Sequence, residues 1–172
     1  MEPGSSVDGG IVVNCGGVTD VDDAAAIQAQ TDLTAAYTQA AVMTGAVVLS
    51  ATSADLAVTT LAPGVYRTGT TLEISGAVTL DAQNNPNACF IFQVGSALNV
   101  DGSSSIHLIH GAQAANVFWA VESSATFGSG SSFAGIIMAQ QTITFVTGAA
   151  LEGRALALNA QVILDSDNIS NP

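Results

Sequence analysis

The side chains able to do chemistry are few and scattered. There are two histidines, His107 and His110, and two cysteines, Cys15 and Cys89. No His or Cys cluster has the spacing of a metal site. Both histidines read as surface or loop residues, with His107 pointing outward beside a buried Ile106. Hydrolysis of a polysaccharide needs two carboxylates converging on one bond. Here Glu73, Asp101 and Glu152 stand alone. Asp20, Asp22 and Asp23 read more simply as acids at a helix start, and neither they nor Asp165 and Asp167 follow a calcium-loop pattern. Phe127-Gly128-Ser129-Gly130 is not followed by a helical pattern, so it is no phosphate loop. The cysteines allow one disulfide or two free, buried thiols, and spacing does not choose. No catalytic residue, metal or cofactor is expected. The chain offers small hydroxyl and methyl groups instead, so the question becomes how they are arranged.

The bulk composition narrows the partners. The 172 residues suit a single domain, residues 1–172, with a real core. Only 9% of residues are charged while 48% are apolar, so the surface must be built from small neutral side chains. The net charge is -12, with Arg67 and Arg154 the only basic residues. That excludes nucleic acid and anionic membrane surfaces, which require a basic footprint. No apolar run is long enough to insert in a membrane, and Met1 to Gly10 carries no signal-peptide pattern.

One helix is expected at about residues 20–42. It opens on Thr19-Asp20-Val21-Asp22-Asp23 and places Ala26, Ala29, Leu33, Ala36, Tyr37 and Ala40 on one face. Short β runs follow, over about residues 46–169, punctuated by Gly, Asn and Pro. They form an irregular internal repeat of about 18 to 27 residues. One apolar column is Tyr66, Phe92, Trp119, Met138 and Leu156. The next is Ile74, Val100, Phe127, Phe145 and Leu164, and the third is Leu80, Ile106, Phe133 and Leu151. Three inward columns imply a three-faced β-solenoid, a mainly-β fold with one long α-helix packed along it. The first face is apolar on both sides, as in Ile136-Ile137-Met138, so the helix must cover it.

Two faces then remain open. One shows Thr71 and Glu73, Ala97 and Asn99, Ser124 and Thr126, Thr142 and Thr144, and Gln161 and Ile163. The other shows Ala77 and Thr79, Ser103 and Ser105, Gly130 and Ser132, and Gly148 and Ala150. Stacked strands repeat at about 4.8 Å, and outward residues along a strand at about 6.8 Å. A rigid grid of that scale can order water as ice does, the threonine methyl limiting hydration while its hydroxyl anchors a water. From the residues alone either open face could carry such a grid, and the expected partner is an ice surface with its ordered water. A non-catalytic adhesin or carbohydrate-binding module on the same fold is the alternative, and would show a groove with aromatics or paired carboxylates.

Several segments carry a family resemblance. Residues 24–37 (AAAIQAQTDLTAAY), 61–66 (LAPGVY), 80–83 (LDAQ), 87–94 (NACFIFQV), 111–113 (GAQ), 116–119 (NVFW) and 153–157 (GRALA), taken in order, closely resemble the DUF3494-type microbial ice-binding proteins. The resemblance implies a right-handed irregular solenoid, secretion, no cofactor, no catalysis, and adsorption to ice through one flat face, which by position is the one carrying the candidate ice-binding residues Thr71, Ala97, Asn99, Ser124, Thr126, Thr142 and Thr144. Family members usually carry a longer N-terminal segment. The shorter start here reads as a natural short variant, a shortened piece of a longer chain, or a chain that closes its exposed solenoid end as a homodimer. Glu73 and Ile163 are unusual within the expected face.

Overall fold

The computed structural model describes residues 24–50 and 54–172. Every strand pairing among them is parallel, and the strands recur in coils. The first coil contributes β1 (Val47–Ser50), β2 (Ala54–Asp55) and β3 (Thr60–Leu61). The second contributes β4 (Gly64–Thr68), β5 (Leu72–Ile74) and β6 (Ala77–Asp81), and the third β7 (Phe90–Val94), β8 (Leu98–Val100) and β9 (Ser105–Ile109). The remaining coils hold β10 (Val117–Val121), β11 (Ala125–Phe127), β12 (Ser132–Ala139), β13 (Ile143–Phe145), β14 (Ala150–Ala157), β15 (Val162–Ile163) and β16 (Asn168–Ser170). Parallel pairing normally demands long crossovers. Here each strand pairs with its counterpart one coil on, so the coil itself is the crossover. The result is a β-solenoid. A ten-stranded sheet bends over two faces, and a six-stranded sheet in the order β15-β13-β11-β8-β5-β2 forms the remaining face.

The first face follows the order β1-β4-β7-β10-β12-β14. Its inward column is Tyr66, Phe92, Trp119, Ile137 and Ala155. Met138 and Leu156, expected in that column, sit one residue further on and point outward to the helix. The run Ile136-Ile137-Met138 is apolar throughout, so alternation could not fix its parity. The bend at Gly135 does so. Gly135 has φ +120°, and a Cβ there would press within 2.8 Å of both the Trp119 indole nitrogen and the Val117 carbonyl. Gly153 repeats the bend one coil on. At these two positions β12 and β14 turn directly from the third face onto the first, whereas the second and third coils cross that corner by loops 82–89 and 110–116. This is why the coils differ in length.

The third inward column also shifts. It is Val78, not Leu80, that pairs with Ile106, and Leu80 pairs with Leu108. Both point inward, so the two-residue offset kept the parity and lost the register. Its outward row is Ala77, Ser105, Ser132 and Ala150, while Thr79 lies beside His107 rather than Ser105. Leu164 extends the Phe145 column but is 53% exposed, because the described chain places no coil beyond it. Stacked rings run up the interior, with centroids 3.9 Å apart for Phe92 and Trp119 and 4.5 Å for Phe127 and Phe145. Val47, Val48 and Val58 are exposed at the first-coil end, where β1, β2 and β3 each pair on one side among the described residues.

The helix α1 spans Ala24–Ala41, and the expected start at residues 20–23 lies outside the described residues. It lies on the first face, as expected, where Tyr37 and Ala40 pack with Ile91, Ala120 and Met138. Its seam runs through Leu33, Tyr37, Ala40 and Ala41. Ala29 and Ala36 are exposed, since an alanine-rich helix gives the sequence pattern too little contrast to choose a stripe. Burial pushes the Tyr37 phenol above its ordinary value. The helix C-terminus, whose last carbonyls lack helical partners, is capped from the sheet. Buried Gln93 on β7 donates its amide to the carbonyls of Ala40 at 2.9 Å and Met43 at 2.8 Å. Gln93→Leu should therefore lower stability by about 1–3 kcal/mol, because both acceptors lose their partner. Thermal melting followed by circular dichroism checks this, and an unchanged melting temperature would deny the cap its role.

Candidate functional site

The six-stranded sheet is the face on which the candidate residues come together. Strands β5, β8, β11 and β13 each send two residues to the core, as Leu98 and Val100 or Ala125 and Phe127 do, with a single outward residue between them. Register aligns these outward residues into one row: Asp55, Glu73, Asn99, Thr126, Thr144 and Ile163. A second row stands one residue before the strands and consists of Thr71, Ala97, Ser124, Thr142 and Gln161. The ladder continues through it, with the Ala97 carbonyl accepting from Leu72 N–H at 2.9 Å, Ser124 from Leu98 at 3.0 Å, Thr142 from Ala125 at 3.0 Å and Gln161 from Ile143 at 3.1 Å. All seven candidate residues thus lie in two adjacent rows fixed by backbone hydrogen bonds.

The hydroxyls of the two rows differ from those of the helix and of several turns. Thr31, Thr34 and Thr38 return theirs to helix carbonyls. Thr68 and Thr70 share a bond, Thr147 donates to Asp165, and Ser129 donates to the Thr147 carbonyl. Thr71, Ser124, Thr126, Thr142 and Thr144 make no side-chain hydrogen bond among the described residues. Their hydroxyls are left to water, on a backbone that cannot shift to follow it.

One end of the face is charged. Asn99 donates its amide to Glu73 at 2.8 Å. Asp55, which alternation did not bring into the row, accepts from the Ser75 hydroxyl at 2.6 Å and from the Ser75 and Ala57 backbone N–H groups. The signal was present in the sequence, since Ala54-Asp55-Leu56 repeats the apolar-acid-apolar order of Leu72-Glu73-Ile74. The far end is apolar, with Val162, Ile163 and Leu164 exposed.

The third face is less regular. β12 meets β9 only at Ser132 and Ser105 before it turns away. The split opens a shallow concavity of about 300 Å³ between Ile106, His107, Phe133, Glu152 and Asn168. Glu152 is the one carboxylate in its lining, and Phe133 is buried in its floor. It therefore offers neither a carboxylate pair nor an exposed aromatic. His107 meets the Ser105 hydroxyl at 3.0 Å, and His110 pairs with Asp81 at 2.8 Å. The Gln83 backbone N–H, then His110, hold the Asp81 carboxyl below its ordinary value. Cys89 is a free, exposed thiol, not a buried one, and Cys15 lies outside the described residues. Among the described residues there is no group of three side chains suited to a metal, and no helix is long and apolar enough to cross a membrane.

Residues 3–170 match a family model described as Ice-binding-like. The chain belongs to this family. An ice-binding protein of Nostoc sp. (strain HG1) is 41% identical over 172 residues, covering 99% of this chain and 63% of the relative. Ice-binding protein 1 of Shewanella frigidimarina is 34% identical over 113 residues, 64% of this chain and 13% of that relative. The chain thus spans less than two thirds of the length of either curated relative. Among solved structures, an ice binding protein from an Antarctic biological consortium superposes with a TM-score of 0.82 at 40% identity, over 87% of this chain and 68% of that one. The ice-binding protein of the Antarctic ascomycete Antarctomyces psychrotrophicus gives 0.81 at 33% identity, over 87% and 73%.

Proposed function

We propose that this chain is a non-catalytic ice-binding protein that adsorbs to ice through the six-stranded sheet and so restrains ice growth and recrystallisation. The observation that carries this reading is the set of unpartnered hydroxyls on Thr71, Ser124, Thr126, Thr142 and Thr144, held in two rows by the strand ladder. Water anchored by those hydroxyls and confined by the neighbouring methyls inherits the strand spacing. Each such contact is weak, so adsorption depends on many of them being made at once on a rigid support. Ser124, Thr126, Thr142 and Thr144 form the centre of the contact, with Ala97 and Asn99 toward its acidic end, where Thr71 stands on the same strand end as Glu73. The indented third face, carrying His107 and Glu152, suits ice less well. Action outside the cell is part of the proposal and rests on the sequence resemblance alone.

The test is ice growth in a nanolitre osmometer. A gap between melting and freezing, with faceted crystals, supports the proposal. Round crystals and no gap, from folded protein, would reject it in favour of an adhesive role for the same solenoid.

A further inference from the structure

We infer that Glu73 marks the edge of the ice-adsorbing area and limits its activity, holding Thr71 out of the contact and occupying the Asn99 amide; the inference rests on the ice-binding reading above. In the row Asp55, Glu73, Asn99, Thr126, Thr144 and Ile163, neighbours stand one strand apart. Thr126 and Thr144 keep their hydroxyls for water, whereas the Asn99 amide is taken up by Glu73 at 2.8 Å. Asp55 is tied to its own corner by Ser75 and Ala57. Glu73 is therefore the carboxylate that meets the neutral rows. No strand of this sheet carries a basic residue, and the two arginines lie on β4 and β14 of the other sheet. The charge on Glu73 has no ionic partner within its sheet and must be kept hydrated.

An ice lattice has no place for a hydrated carboxylate, and stripping its water without an ion partner is costly. The protein must dock with Glu73 outside the contact. Thr71, two residues earlier on the same outward side, is lifted away with it. The working area then begins at Ala97 and Asn99, and Asn99 enters it with its donor already engaged. Removing the charge extends both rows by one coil toward the N-terminal end.

The experiment compares thermal hysteresis of the wild type with Glu73→Thr, Glu73→Gln and the double variant Glu73→Thr/Asn99→Thr at equal concentration. Glu152→Thr serves as a control that removes the same charge from the third face. Glu73→Thr should raise hysteresis by about two-fold, since the threonine rows lengthen by a coil at each step. Glu73→Gln should rise less because it keeps a polar amide beside Asn99, and the double variant should rise most. Glu152→Thr should match the wild type. Glu73→Thr and Glu73→Gln both at or below the wild type, with unchanged melting curves, would overturn the inference while leaving ice binding intact. An equal rise in Glu152→Thr would also overturn it, since net charge rather than position would be the cause. Should Glu73→Thr fold poorly, Glu73→Gln carries the same test. A wild type without hysteresis would remove the ice-binding reading itself.

Discussion

Replacing Thr126 by tyrosine should remove most of the ice activity and leave the fold as it is. Thr126 is exposed between Asn99 and Thr144, with Ala125 and Phe127 turned to the core on either side. Its hydroxyl has no protein partner to lose, and tyrosine is a good strand residue. The ring would stand out from the middle of the two rows and hold the rest of the face off the ice. Because the contacts are weak and act together, hysteresis should fall by on the order of ten-fold. Stability should stay within about 0.5 kcal/mol of the wild type, as for other exposed sites. Osmometry beside a melting curve on the same sample checks both. Full activity in this variant would move the site to the face of Thr79, Ser105 and Ser132.

The largest effect on stability is expected at Trp119. Its ring stacks on Phe92 with centroids 3.9 Å apart and tilts against Phe133 at 4.8 Å. Its indole N–H donates to the Ala134 carbonyl at 3.1 Å, just before β12 bends away at Gly135. Trp119→Ala opens a cavity on the solenoid axis at a cost of roughly 3–5 kcal/mol. It also strands a buried carbonyl, adding about 1–3 kcal/mol. That is a large part of the 5–15 kcal/mol typical of a domain, so a melting temperature lower by about 10 °C or more is expected. Trp119→Phe keeps the stack and loses the hydrogen bond, and should cost clearly less. Equal losses in the two variants would mean that the bond to Ala134, and not the packing, holds the bend.

Much of the architecture was legible because large aromatics mark the coils. Tyr66, Phe92 and Trp119 fall one per coil on the first face, and they do stack. Phe127 and Phe145 fix which side of β11 and β13 is buried, so Thr126 and Thr144 had to point outward. Parity failed where every neighbour was apolar, at Ile136-Ile137-Met138, because the deciding feature is a backbone bend at a glycine. Register, though not parity, failed at Leu80, where coils of unequal length hide a two-residue offset. The helix seam was blurred by alanines equally suited to burial or exposure. Side-chain partners lay beyond reach for a different reason. The Asn99–Glu73 bond joins residues one coil apart, and the Gln93 cap joins β7 to the helix end across fifty residues. Composition and period carry no trace of such pairs. The same holds for which hydroxyls stay free, since that depends on every acceptor around them.

The most direct test of the central claim is adsorption itself. The protein, carrying Cys15→Ser and labelled with a fluorophore at Cys89, is frozen slowly into a single ice crystal, and the crystal surface is then imaged. Cys89 lies in the loop before β7, away from the six-stranded sheet. Fluorescence confined to defined crystal planes, and absent with Thr126→Tyr, is the predicted result. A dark crystal, or the same bright planes with Thr126→Tyr, would contradict adsorption through these threonine rows.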